Sequence, residues 1–166
     1  MRTKLFLAIA LCLMGTMAVS AQAFDGDADW KLGAGYLNVG GKSGAQVWLD
    51  YGLNDYLSLG MQYKVLILDD NESDNNFFNG CDMNIMCNYH WCDLLKLPSQ
   101  FDIYTDAMLG VRNGGLMGGM RYNFSERVGI YAEAQQYLFR VFFDDDHNRI
   151  FKNKFCFSAG IPINLR

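Results

Sequence analysis

Leu57-Ser58-Leu59-Gly60-Met61-Gln62-Tyr63-Lys64-Val65 puts an apolar side chain at every second position, against Ser58, Gly60, Gln62 and Lys64. Side chains on an extended strand point alternately to opposite faces, so a period of two marks a strand with one apolar and one polar face. The same period runs through most of the chain after its first two dozen residues. Upstream, Ala45, Val47, Leu49, Tyr51 and Leu53 oppose Gln46, Trp48, Asp50 and Gly52, and Trp30, Leu32, Ala34 and Tyr36 share a face within Trp30–Val39. Downstream, Cys81, Met83, Ile85, Cys87, Tyr89 and Trp91 oppose Asp82, Asn84, Met86, Asn88 and His90. Phe101 to Val111 and Leu116 to Phe124 repeat the pattern, as do Val128 to Gln135 and Phe155 to Leu165. Beyond Gln135 the parity is lost.

These are eight candidate strands. The connections carry turn chemistry: Gly40-Gly41-Lys42-Ser43, Asn54-Asp55, the polar stretch Asp69 to Asn79, Cys92 to Ser99 with Pro98, the hairpin pair Asn113-Gly114, Ser125-Glu126, and a loop with Asp144-Asp145-Asp146. No helix-period segment follows the N-terminal region. The expected fold is all-β: a single up-and-down antiparallel eight-stranded transmembrane β-barrel. Strands of about ten residues tilted near 45° are long enough to cross a hydrocarbon layer.

The N-terminus predicts the compartment. Arg2 and Lys4 precede an apolar run from Leu5 to Val19, and Ala21-Gln22-Ala23 supplies small residues for a processing enzyme. This is the pattern of a secretory signal peptide, residues 1–23, leaving a barrel domain of residues 24–166. Cleavage before Phe24 is the first choice and cleavage after Ala21 the alternative. Cys12 follows Leu11 inside the apolar run and does not suit a lipoprotein signal. The whole chain has 14 basic and 18 acidic residues; without Arg2 and Lys4 the balance is 12 against 18, or −6, with no basic cluster to hold nucleic acid.

Alternation alone does not say which face meets lipid. Three features point the apolar face outward. The polar face mixes Gly52, Gly60, Gly110, Gly119, Gly129 and Gly160 with Trp48, Tyr104, Tyr131 and opposed charges, which suits a crowded interior rather than a hydrated surface. Asp50, Asp82, Asp102, Asp106 and Glu133 are expected there with Lys64, Arg112, Arg121 and Lys154 as partners, and His90 beside them, because buried charges need partners. Second, Trp30, Tyr51, Tyr56, Tyr89, Trp91, Phe101, Tyr122 and Phe124 gather at one end of the strands, as an aromatic girdle at a membrane–water boundary would. Third, alternating apolar residues run to the penultimate position, Leu165.

On these strands the chain resembles the small eight-stranded outer-membrane barrels of the OmpA and OmpX type, in the branch of single-barrel proteins with Gly-rich and Tyr-rich strands. The resemblance is one of pattern over the whole length after the signal. It implies a Gram-negative outer-membrane location, with membrane lipid, lipopolysaccharide and the outer-membrane assembly machinery as partners. The terminal strand resembles the one that machinery recognises, but ends on Arg166 rather than an aromatic residue.

An eight-stranded barrel is just filled by its own side chains, so a wide pore is not expected. His90 is the best single catalytic candidate, placed near Asp82, Asp102 and Asp106; Ser58 and Ser158 are the nominal nucleophiles, with nothing in the sequence aligning either to it. Asp69-Asp70-Asn71-Glu72-Ser73-Asp74 lacks the glycine and terminal glutamate of a calcium loop, and Asp144-Asp145-Asp146-His147 is a second acidic tip; both are read as solvated, with no metal or cofactor expected. Cys81, Cys87, Cys92 and Cys156 show no obvious pairing, since Cys81 and Cys87 lie roughly 20 Å apart on one strand. The leading expectation is a small non-enzymatic outer-membrane β-barrel, structural or making surface contacts through short loops. The alternatives are a soluble lipocalin-like periplasmic ligand-binding barrel and a membrane-embedded lipid-modifying barrel enzyme. The oligomeric state is not written in the sequence.

Overall fold

The computed structural model describes residues 21–67, 80–141, 150, 151 and 153–165. Eight antiparallel strands follow one another around a closed barrel: β1 (Trp30–Val39), β2 (Lys42–Gly52), β3 (Leu57–Leu66), β4 (Cys81–His90), β5 (Phe101–Gly110), β6 (Asn113–Asn123), β7 (Gly129–Arg140) and β8 (Phe155–Asn164). β8 closes on β1 from Lys31↔Asn164 to Val39↔Cys156. Closure leaves no sheet edge, so strand backbone groups pair within the sheet. Between β4 and β5 a single helical turn, α1 (Cys92–Leu95), ends at Lys96 in the left-handed region (φ 52°); Cys92 begins this helix rather than a plain turn.

Both chain termini of the barrel, the turn at residues 53–56, α1, and the turn at 124–128 lie at one end, here the terminal mouth. The opposite, loop end carries Gly40-Gly41, Gly80 ahead of β4, Val111-Arg112, and Ile150 and Phe151 ahead of β8. The signal segment lies outside the described residues up to position 20; the acidic stretches 69–74 and 144–147 also lie outside them.

Burial alternates along every strand, and its sense is the reverse of a water-soluble protein. Leu59, Met61, Ile85, Leu116 and Ile161 are each about half exposed, whereas Lys64, His90 and Asp102 are fully enclosed. The apolar parity faces out and the polar parity faces in. At the loop end an apolar cluster of Leu37, Val39, Leu66 and Cys156 packs with Phe151, whose ring meets Tyr137 edge-on at 5.7 Å.

Two local expectations are corrected. Asn113-Gly114 is not the hairpin turn: both residues belong to β6, Leu109 pairs with Gly114, and Val111-Arg112 makes the turn. Val111 N–H donates to Met83 O and Val141 N–H to Arg112 O, so neighbouring strands extend the ladder on both sides of that turn. A side chain at Gly114 would strike the Phe139 ring at 2.3 Å, so the glycine makes room for an aromatic ring rather than bending the chain. The lost parity after Gln135 is a β-bulge. Gly114 pairs with Phe139 and Gly115 with Tyr137, which leaves Leu138 as the extra residue and turns Leu138 and Phe139 both outward.

The closing seam is tightest where Gly35 pairs with Gly160. A Cβ at Gly160 would lie 2.1 Å from Ala34 O and 2.5 Å from Gly35 Cα, both backbone atoms that cannot step aside. Gly160→Val should therefore lower stability in detergent micelles by about 1–3 kcal/mol, as overpacking does. Gly118→Ala, whose Cβ would meet nothing closer than Tyr104 O at 4.0 Å, should leave it unchanged. Denaturant unfolding of the two variants checks the contrast.

Candidate functional site

The interior forms three connected groups along the bore. At the terminal mouth, His90 ends β4 and Asp102 lies near the start of β5. His90 Nδ1 is 2.9 Å from Asp102 Oδ2, and its Nε2 is 2.9 Å from Ser58 Oγ. Ser58, His90 and Asp102 have no exposed surface. A carboxylate only accepts, so Asp102 places the imidazole hydrogen on Nδ1 and leaves Nε2 free to accept from Ser58. Asn88, paired with Ser58 across β3 and β4, donates to Ser58 Oγ (3.0 Å) and to Asp50 Oδ1 (2.9 Å). Asp50 Oδ2 receives Arg121 Nη2 at 2.9 Å. The guanidinium lies over two rings, 4.6 Å from the Trp48 centroid and 4.2 Å from that of Tyr104, which shields a charge that could not otherwise remain inside.

In the middle, Glu133 is held by neutral donors. Tyr104 Oη donates at 2.7 Å, Gln46 Nε2 at 2.8 Å and Ser158 Oγ at 3.0 Å. Toward the loop end, Lys64 donates to Gln135 Oε1 and to Tyr137 Oη, and Tyr137 in turn donates to Asp82 Oδ2 at 3.2 Å. Tyr137 thus relays between a cation and an anion that are also cross-strand neighbours in β3 and β4.

Of the interior charges expected from sequence, Asp50, Lys64, Asp82, His90, Asp102, Asp106, Arg112, Arg121 and Glu133 are buried. Lys154 is not. It precedes β8, is exposed, and its stem covers the Gly40 turn at the loop end. The strand begins one residue later than its alternation suggested, so the lysine remains at the rim, where water solvates it. Arg112 lies in the β5–β6 turn and donates to Cys81 O at 2.8 Å. Asp82 and Asp106 do not join His90: Asp82 is at the far end of β4 with Tyr137, and Asp106 Oδ1 accepts from Cys87 N–H at 3.2 Å. Lys31 was missed. It is buried with Asp29 at 2.7 Å and Asn164 at 2.8 Å, and its parity opposite Trp30 and Leu32 was the available signal.

The eight aromatic residues expected as a girdle all lie at the terminal mouth. Trp30 meets Tyr51 (4.6 Å between centroids), Tyr89 meets Tyr56 (6.3 Å) and Trp91 (4.7 Å), and Phe101 meets Tyr122 (6.5 Å); Phe124 is half exposed nearby. Cys81, Cys87, Cys92 and Cys156 form no disulfide, and no three metal-ligating side chains converge among the described residues.

The model of a family described as "Family of unknown function (DUF6646)" matches residues 14–165. The chain belongs to that family. No curated protein matches it. Among solved structures, the N-terminal β-barrel domain of Pseudomonas aeruginosa OprF is similar, at 13% identity and a TM-score of 0.60, covering 85% of this chain and 100% of that one. A de novo designed transmembrane β-barrel is similar at 10% identity and a TM-score of 0.61, covering 85% and 98%. At such identities the likeness is one of fold. The family member described here has the closed eight-stranded architecture of small membrane barrels, as the strand pattern implied.

Two measurements probe this interior. Arg121→Met strands Asp50 in the bore and should cost about 3–5 kcal/mol in micelle unfolding, whereas Asp50→Asn combined with Arg121→Met should recover part of that loss. At the terminal mouth, burial first and the Asp102 carboxylate second push the Cys92 thiol up to about 11. Its thiolate fraction at pH 8 is then about a thousandth. Its maleimide labelling should be slow at pH 8 and rise steadily toward pH 11.

Proposed function

We propose that this chain is a small, non-conducting outer-membrane barrel of a Gram-negative bacterium, with a structural or surface-contact role exerted through its outer wall and loops. The observation that carries this is the inverted burial. An apolar wall encircles a bore filled with polar and charged side chains, and such a wall needs hydrocarbon around it. A soluble ligand-binding barrel would carry the same alternation turned inside out.

The aromatic ring at the terminal mouth suits the inner headgroup level, which orients the loop end outward. The secretory signal pattern, residues 1–23, supports export, and the alternation of β8 suits recognition by outer-membrane assembly machinery. Lipid and lipopolysaccharide are the partners of the wall and rim. The bore is closed at both ends by aromatic side chains, Phe24 over His90 and Phe151 over Tyr137, which supports a wall rather than a channel.

Fractionation tests the proposal. The full chain should sediment with outer membranes, need detergent for release, and migrate differently on gels before and after boiling. Recovery as a detergent-free periplasmic monomer would refute it. In planar bilayers the folded protein should give no sustained conductance steps; stable open-channel currents would overturn the closed bore.

A further inference from the structure

The terminal mouth carries an arrangement that a structural wall does not require. We infer that Ser58, His90 and Asp102 form an acyl-transfer array for short-chain carboxylic esters, held closed by Phe24. The inference goes beyond the role proposed above and does not depend on it.

The geometry is that of a nucleophile, a base and an orienting carboxylate in line. Two contacts of 2.9 Å join Ser58 Oγ to His90 Nε2 and His90 Nδ1 to Asp102 Oδ2. Asn88 Nδ2 donates to Ser58 Oγ at 3.0 Å, so the serine hydrogen is left to point at the imidazole. A histidine that merely fills a bore needs partners of any kind. Here one partner fixes the tautomer and the other is a hydroxyl with its proton aimed at the free nitrogen.

The step balances as ester hydrolysis. Ser58 Oγ bonds to the carbonyl carbon while His90 Nε2 takes the serine proton. Asn88 Nδ2 orients the serine, with one hydrogen on Ser58 Oγ and the other on Asp50 Oδ1. The ester C–O bond then breaks, His90 returns the proton to the departing alcohol, and the acyl group remains on Ser58. Water repeats the sequence: His90 takes its proton, the acyl–Oγ bond breaks, Ser58 regains hydrogen and a carboxylic acid leaves. Asp102 acts as a positioning residue throughout. The bore beyond the array is occupied by Tyr104, whose ring is 5.8 Å from that of His90, and by the Arg121–Trp48 stack, so an acyl group is confined to the space that the Phe24 ring vacates and must be short.

Access is the second half of the inference. The Phe24 ring lies flat on His90, 3.5 Å between centroids and 6° between planes. An ester reaches Ser58 only after this ring moves. Its segment is tied to the rim by Asp25 N–H to Asp29 Oδ2 (3.0 Å) and Ala28 N–H to Gly52 O (3.0 Å), with Ala28 in the left-handed region at φ 60°; a chain cut after Ala21 adds Ala23 N–H to Ser99 O (2.8 Å) and the Asn123 and Asn164 amides on Gln22 O (2.9 and 3.3 Å). The segment precedes β1 and meets the ladder at its end, where Ala28 N–H and Asp29 O pair with Gly52 of β2, so the part around Phe24 can open without unfolding the sheet. Either processing point considered for the signal leaves Phe24 in place.

The test uses the folded full-length mature protein in micelles and a fluorophosphonate probe, which loses fluoride as Ser58 Oγ bonds to phosphorus. The label should map to Ser58 by peptide mass spectrometry and form at least tenfold faster in Phe24→Ala. It should disappear in His90→Gln and fall with an altered pH profile in Asp102→Asn. Hydrolysis of p-nitrophenyl butyrate should follow the same order. Folding of each variant is read from its mobility before boiling. Phe24→Leu, expected to label at a rate between wild type and Phe24→Ala, replaces the alanine variant if that one does not fold. No label on Ser58 in a folded, uncapped variant overturns the inference. So does labelling of folded His90→Gln at the wild-type rate.

Discussion

A sheet that lies in hydrocarbon has no water to satisfy a free edge, so closure is the condition on which every other feature of this barrel rests. The β1–β8 pairing meets it, and the seam is drawn so tight at Gly35 and Gly160 that neither position has space for a side chain. Once closed, the sheet has an inside, and period two assigns every second side chain to it. The interior then has to be both filled and electrically satisfied by whatever the alternation delivers.

The solution is less a set of ion pairs than a hydrogen-bonded lattice. Arg121 meets Asp50 and Lys31 meets Asp29 directly, but Glu133 is held by tyrosine, glutamine and serine, and Lys64 reaches Asp82 through the Tyr137 hydroxyl. Neutral partners carry the charge of the bore because each buried carboxylate offers more acceptor sites than one cation fills. Stripping a partner from such a group costs more than the group's own pairing contributes, so the lattice is rigid by penalty as much as by attraction.

The two mouths are treated differently. The loop end is closed by an apolar cluster packed with Phe151, a packing solution. The terminal mouth is covered by the segment before β1, whose Phe24 ring lies on an imidazole that already has two partners, a cover over polar groups with chemistry of their own. A wall protein needs the first. The second separates this barrel from a simple side-chain plug.

The sequence by itself determined the strand count, the order of the strands and the face of nearly every residue, because alternation is a local property and survives without knowledge of neighbours. It also placed Trp30, Tyr51, Tyr89 and Tyr122 at one end, since height along a strand follows from position in the chain. What it lacked was the stagger between strands. Parity says that Ser58, His90 and Asp102 all point inward, but only the β3–β4 and β4–β5 registers bring Ser58 and Asp102 each to 2.9 Å from His90 and send Asp82 to the opposite end. The bulge at Leu138, the turn at Val111-Arg112 and the exposed Lys154 were hidden for the same reason: each depends on where a neighbouring strand starts or stops. Local alternation decided what faces inward, and the tertiary register decided what meets there.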